Sequence, residues 1–211
     1  MHVAIFTSPS VQKGFFVAEA IQTADVIIAA DCGARSAVSM GIIPSVVLGD
    51  FDSLDEDTMS VLEAKHVAFI KKTAEKDETD TQLAVLYAIE MGATKITLVG
   101  GIDGDRFDHA IANIYLTYNP TMPIYLVNGC SKSWIVSGSG MVNVEGEKND
   151  LLSLIAMSSE VMSITTKSLK YPLKNESLYF GVPRGMSNVF EDDKVSVEFK
   201  QGKLLIIHTK V

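Results

Sequence analysis

Short apolar runs alternate with stretches of helical spacing through the first part of the chain. His2–Thr7, Asp25–Ala30, Ser45–Leu48, Val67–Ile70, Lys95–Val99 and Pro123–Val127 read as strands. Between them the pattern predicts a helix near Gln12–Gln22 and a short one over Gly33–Met40, with Gly41 as its C′ residue and Pro44 just beyond. A capping-box pattern, Ser53-x-x-Glu56, opens a helix to about Lys65. A second, Thr79-x-x-Gln82, opens one with an apolar stripe at Leu83, Leu86, Tyr87 and Met91. The next helix carries its stripe on Phe107, Ile111, Ile114, Tyr115 and Tyr118. Repeated strand–helix units with apolar strands predict an α/β domain over residues 1–128, a mainly parallel sheet with flanking helices.

Beyond residue 128 helical periodicity fades. Ser133–Val136, Leu151–Ala156, Val161–Thr166, Val195–Phe199 and Leu204–His208 read as strands, and Gly138-Ser139-Gly140, Asn149-Asp150 and Gln201-Gly202 as turns between them. Residues 129–211 are therefore expected to form an all-β, sandwich-like domain.

Composition narrows the function classes. The 211 residues are 47% hydrophobic and 21% charged, an ordinary globular balance. Residues 109–131 carry no Asp, Glu, Lys or Arg, yet Asn119-Pro120 and Pro123 break the run into helix, turn and strand rather than a membrane span. The net charge of −8 argues against a nucleic-acid partner. It leaves room for a polyphosphate joined to the protein through divalent cations. Two cysteines, Cys32 and Cys130, form no disulfide framework, and with no signal-peptide pattern at the N-terminus they predict a cytoplasmic protein.

The chemistry-bearing residues collect after strands. In an open α/β sheet, ligands bind beyond the carboxyl ends of the strands. Gly49-Asp50-Phe51-Asp52-Ser53 follows one strand directly, and an extended backbone there would point both carboxylates to one side, a pair that repels unless a cation joins it. Asp31 follows another strand as a natural N-cap, ahead of Cys32, Gly33, Ala34 and Arg35. Thr79 caps the helix whose first turn holds Asp80. Gly100 and Gly101 open a loop to Arg106, Asp108 and His109, where backbone N–H groups and a guanidinium suit a phosphate, although neither a Walker A loop nor a GxGxxG fingerprint is present. Taken together these strand ends describe a polyphosphate–Mg²⁺ site. On the residues alone, a metal-dependent nucleotide phosphohydrolase and a non-catalytic nucleotide sensor stay open beside a phosphotransferase.

The segments DCGAR (31–35), GIIPSVVLGDFDS (41–53), KDETDTQLA (76–84) and GGIDGDRFDHAIANI (100–114) resemble the catalytic domain of the thiamine pyrophosphokinase family, and SLKYPL (168–173) and GMSN (185–188) resemble its thiamine-binding β-domain. Cys32 and Ser168 stand where that family usually has glycine. The resemblance implies transfer of a pyrophosphoryl group from ATP to the thiamine hydroxyl, giving thiamine diphosphate and AMP. It implies Mg²⁺ held by Asp50, Asp52 and Asp80, with Arg106 and Asp108 also catalytic. ATP would meet Asp31, Gly33, Ala34, Arg35, Thr79, Gly101, Arg106 and His109, and thiamine would meet Tyr171, Ser187 and Asn188. It further implies a homodimer with the site shared between subunits.

Overall fold

Six strands of the first unit lie parallel, so their carboxyl ends share one edge of the sheet. The computed structural model of the chain describes residues 1–71, 77–103 and 106–211; Lys76, Gly104 and Asp105 of the segments quoted above lie outside them. In chain order the elements are β1 (His2–Phe6), α1 (Phe15–Thr23), β2 (Val26–Ala30), α2 (Gly33–Ser39), β3 (Val46–Gly49), α3 (Glu56–Ala64), β4 (Ala68–Lys71), α4 (Asp80–Glu90), β5 (Lys95–Val99), α5 (Phe107–Leu116) and β6 (Ile124–Asn128). They belong to a compact unit spanning Met1–Gly129. Its strands are ordered β6-β5-β1-β2-β3-β4. The chain winds outward from β1 to β4 and returns to β5 on the other side of β1, so the topological switch point lies between β1 and β5.

Both faces of this sheet are covered, which is why its strands read as unbroken apolar runs. Ile5, Ile28 and Leu48 pack on one face with Ala84, Val85 and Ala88 of α4. Phe6, Ala29 and Val47 pack on the other with Phe16 and Val17 of α1, Ala34 of α2 and Leu62 of α3.

Two helices are rotated from the stripes expected of them: Tyr87 of α4 and Ile114 of α5 pack against the core as expected, but other stripe residues turn outward. The buried face of α4 is Thr81, Ala84, Val85 and Ala88, while Leu86 and Met91 are exposed. The buried face of α5 is Ala110 and Asn113, continued by Thr117, while Phe107, Ile111, Tyr115 and Tyr118 are exposed. Small residues let a helix sit close to a sheet, and a count of large apolar side chains then shifts the expected face away from the buried one.

The second unit spans Cys130–Val211. It contains β7 (Ser131–Ser137), β8 (Gly140–Glu145), β9 (Leu151–Ala156), β10 (Glu160–Lys167), β11 (Lys174–Tyr179), β12 (Asn188–Val189), β13 (Lys194–Phe199) and β14 (Lys203–Thr209). Antiparallel pairing orders β12-β9-β14-β7 in one sheet and β11-β10-β13-β8 in the other. Inward residues such as Leu152, Leu154, Ile164, Val195, Val197, Leu204 and Ile206 fill one core. The strands β8, β11 and β12 escaped the sequence reading because Gly140, Asn143, Lys174, Asn175 and Asn188 mask the alternation expected of a half-buried strand.

Candidate active site

Asp31 leaves β2 with φ 42°. It does not cap α2 as expected: Cys32 is the N-cap and no side chain caps that end. One carboxylate oxygen of Asp31 accepts a hydrogen bond from the Ser53 hydroxyl. The other, Oδ1, is buried and has no hydrogen-bond partner among the described residues. A buried, unsatisfied carboxylate oxygen is costly unless something else meets it. Ser53 is correspondingly not the cap of α3. Asp55 takes that place and accepts from the Thr58 N–H at 2.8 Å. Gly33 opens α2 so close to β1 that a Cβ there would lie 2.1 Å from the Phe6 carbonyl oxygen. Ala34 is buried beneath it, and Arg35 reaches outward to Asp55 at 3.5 Å.

The loop after β3 is not extended. Phe51 has φ 69°, and the Asp52 N–H donates to Asp50 Oδ1 at 3.2 Å. The strand-period argument for the two carboxylates therefore does not hold; a tight turn between them sets their directions instead. The Phe51 ring fastens this turn, meeting the edge of Phe69 on β4 at 5.3 Å. Thr79 caps α4 as expected, accepting from the Gln82 N–H at 3.1 Å, and Asp80 occupies the first turn. The Cys32 thiol links these corners electrostatically. Burial, then the Asp31 charge and, more weakly, Asp80 push it up to about 11. Ser53 hydrogen-bonds Asp31, and the Asp31 and Asp80 charges both act on the Cys32 thiol. Among the described residues, no three His, Cys, Asp or Glu side chains are gathered closely enough to hold a metal ion by themselves.

At the switch point, Gly100 and Gly101 follow β5 with φ 81° and 80°. A Cβ on Gly101 would stand 2.4 Å from Thr7 Oγ1 and 2.5 Å from Asn113 Nδ2, so only glycine fits there. Arg106 is the N-cap of α5, and its side chain makes no capping hydrogen bond. Its guanidinium grips Asp108 at two points, 3.1 Å and 2.9 Å, and donates to His109 Nε2 at 2.7 Å. A guanidinium only donates, so His109 Nε2 is the acceptor in this contact. The Arg106 hydrogen bonds hold the Asp108 carboxyl down at about 2.

In the second unit, a cleft of about 490 Å³ is lined by Leu154, Lys170, Tyr171, Leu173, Arg184 and Asn188, among others. Tyr171 is 64% exposed, and the Lys170 ammonium lies 5.6 Å from its ring centroid. Asn188 is a strap: Oδ1 accepts from the N–H of Tyr171 at 3.0 Å, and Nδ2 donates to the Tyr171 carbonyl at 2.7 Å. Ser187 has φ 50°, and its N–H donates to Ser153 Oγ at 2.9 Å. Ser168 also has a positive φ, 61°, a conformation for which glycine is the easier residue. Lys170 and Arg184 were not singled out from sequence. Arg184 pairs with Glu176 and is neutralised there.

Residues 17–126 match the family model for the thiamin pyrophosphokinase catalytic domain, and residues 141–204 match that for the vitamin B1 binding domain. Thiamine pyrophosphokinase of Bacillus subtilis (strain 168) is 30% identical over 185 residues, 86% of each chain. The crystal structure of a thiamin pyrophosphokinase from Geobacillus thermodenitrificans covers 100% of this chain and 98% of its own, at 26% identity and a TM-score of 0.84. The Bacillus subtilis crystal structure shares the fold over the full length of both chains, at 24% identity and a TM-score of 0.87. With both of the family's domains matched in order and the same fold in its solved members, the chain belongs to the thiamine pyrophosphokinase family, which transfers pyrophosphate from ATP to thiamine to give thiamine diphosphate.

Proposed function

We propose that this chain transfers the pyrophosphoryl group of ATP to the thiamine hydroxyl, and that the carboxyl edge of the parallel sheet is where ATP lies. The observation that carries the reading is the buried Oδ1 of Asp31, unpartnered among the described residues, in a carboxylate that Ser53 hydrogen-bonds through its other oxygen. Such a corner is completed by a ligand or by an ion that a ligand brings. Asp31, Gly33, Ala34, Arg35, Thr79, Gly101, Arg106 and His109 form the ATP surface in this reading. Tyr171, Ser187 and Asn188 form the thiamine surface, with Asn188 holding the Tyr171 backbone in place.

Mg²⁺ suits the donor set. Asp50, Asp52 and Asp80 supply hard oxygens, the donors Mg²⁺ takes when it is bound through one or two carboxylates plus substrate phosphates and keeps several waters. When bound, it would neutralise phosphate charge. The protein's own part is positioning and charge. Arg106, oriented by its two hydrogen bonds to Asp108, meets charge that develops on the transferred group. The thiamine oxygen forms a bond to the β-phosphorus, the bond from that phosphorus to the α,β-bridging oxygen breaks, AMP leaves, and a carboxylate takes the hydroxyl proton.

The reading includes a homodimer with a shared site. Leu86 on α4 and Phe107, Ile111 and Tyr115 on α5 expose apolar surface of the kind that marks an interface, and Phe107 is 74% exposed. A cytoplasmic enzyme accords with two free cysteines, and among the described residues no helix is long and apolar enough to cross a membrane.

The test is incubation with ATP, Mg²⁺ and thiamine. Thiamine diphosphate and AMP appearing together, and AMP only when thiamine is present, support the reading. Nucleotide hydrolysis without thiamine would make the chain a phosphohydrolase, and binding without turnover would make it a sensor.

A further inference from the structure

We infer that two buried asparagines, Asn113 and Asn128, are positioning residues that hold negative oxygens of the loop after β5 away from the phosphates of ATP. The inference rests on the reading above, in which Gly101 and Arg106 meet ATP. Asn113 is 4% exposed and Asn128 is 6% exposed. Asn113 lies on the sheet-facing side of α5 with Ala110 and Thr117, and its Nδ2 donates to the Gly101 carbonyl at 2.9 Å. Asn128 ends β6. Its Nδ2 donates to Asp103 Oδ2 at 2.5 Å, and its Oδ1 accepts from the Gln12 N–H at 2.9 Å.

A buried amide is costly to desolvate, and an apolar residue fills such a position more cheaply. Each of these amides therefore has to be explained by what it holds. A phosphate loop presents N–H groups, and any carbonyl or carboxylate facing the ligand repels it. Asn113 keeps the Gly101 carbonyl turned onto α5. This fixes a backbone already in the left-handed region at two successive residues, with φ 81° and 80°. Asn128 tethers the one carboxylate that the described part of the loop carries, Asp103. Through Gln12 it also ties the segment after β1 to the same point, across the switch point. The loop is preorganised by these contacts, and neither amide needs to touch ATP.

The decisive measurement is calorimetric binding of Mg²⁺ and α,β-methylene ATP, which cannot release its pyrophosphoryl group, alongside amide hydrogen exchange at residues 101–103 in the ligand-free protein. Asn128→Ala should weaken binding about tenfold, the worth of one hydrogen bond to a charged group, and speed exchange in the loop. Adding Asp103→Asn to that variant should restore most of the affinity, because the loosened charge is gone. A merely structural role for Asn128 predicts no such rescue. Asn113→Ala should weaken binding similarly, and Asn113→Ser, which keeps a donor, should lose less. The KM for thiamine should stay within about twofold in all of them. Arg106→Ala serves as the control on the underlying reading. If it loses affinity while the asparagine variants retain theirs, or if Asp103→Asn fails to rescue, the inference is overturned and the phosphate site stands. If Arg106→Ala binds normally, the phosphate site itself is misplaced and the inference falls with it.

Discussion

Arg106 holds Asp108 with two edges of its guanidinium, Nε to Oδ1 at 3.1 Å and a terminal nitrogen to Oδ2 at 2.9 Å. A lysine in its place keeps the charge and loses this planar fork. Arg106→Lys should lower kcat by about a hundredfold, the scale of one lost transition-state donor, while the KM for thiamine changes little. A raised thiamine KM with normal turnover at saturation would move Arg106 into the thiamine pocket. The pair itself is insensitive to ordinary pH. The Asp108 carboxyl is held at about 2, below its usual range, so its contribution is complete above the unfolded value and is lost only as pH falls through about 2. An acid limb of the rate profile above pH 4 therefore belongs to another group.

The turn carrying Asp50 and Asp52 contributes little to folding through its carboxylates, because Asp50 is half-buried, Asp52 is exposed and the turn is anchored by Phe51. Asp50→Asn or Asp52→Asn should remove most activity and change stability by no more than about 0.5 kcal/mol. Thermal melting beside AMP release separates the two effects. Near-normal turnover in both variants sinks the metal assignment.

How much of this was legible depends on what each residue answers to. Thr79 was readable as a cap because capping is decided within one turn of helix, by its own hydroxyl and the Gln82 N–H. The parallel sheet was readable because strands covered on both faces stay apolar throughout. Asp31 was misread as a cap because its partner, Ser53, lies 22 residues away, beyond the reach of a local pattern. The faces of α4 and α5 were legible only in part, Tyr87 and Ile114 packing inward as expected, for a related reason. Periodicity shows that a helix has an apolar side but not which of two surfaces claims it. Ala84 and Ala88 met the sheet, leaving Leu86 and Met91 outside. Asn113 and Asn128 look in sequence like ordinary polar residues, and only their burial reveals them.

His208 and Asp150 form a buried pair in the second unit, with Nε2 to Oδ2 at 2.8 Å and Phe190 stacked on the imidazole at 5.1 Å. Burial lowers the His208 pKa below its ordinary value, although Asp150 opposes the shift. The unfolded chain then binds a proton that the folded one resists, so stability rises with pH across this window. It is fully present above about pH 6.5, the usual value for an unfolded histidine, and declines as pH falls below it. His2, also buried, shifts the same way and adds to the slope. The melting temperature should therefore drop between pH 7.5 and 5.5, and His208→Gln should flatten that dependence. An unchanged slope in the variant would show that the pair is not its source.

The proposed shared site makes the strongest prediction about assembly. The acids belong to the first compact unit, and Tyr171, Ser187 and Asn188 to the second. In a twofold dimer, a site built from one subunit's acids and its partner's β-domain occurs twice. Asp80→Asn inactivates through the first unit and Tyr171→Ala through the second, so each variant alone is expected to lose most of its turnover. Mixed dimers of the two would contain one site bearing both lesions and one bearing neither. After random subunit exchange half of the dimers are mixed, and each of these has one intact site of two, so recovered activity should approach about a quarter of the unmodified enzyme's. Exchange must be shown independently, for example by mass spectrometry of differently tagged chains. If exchange occurs and no activity returns, each site is complete within one chain, and the outward apolar residues of α4 and α5 need a different explanation.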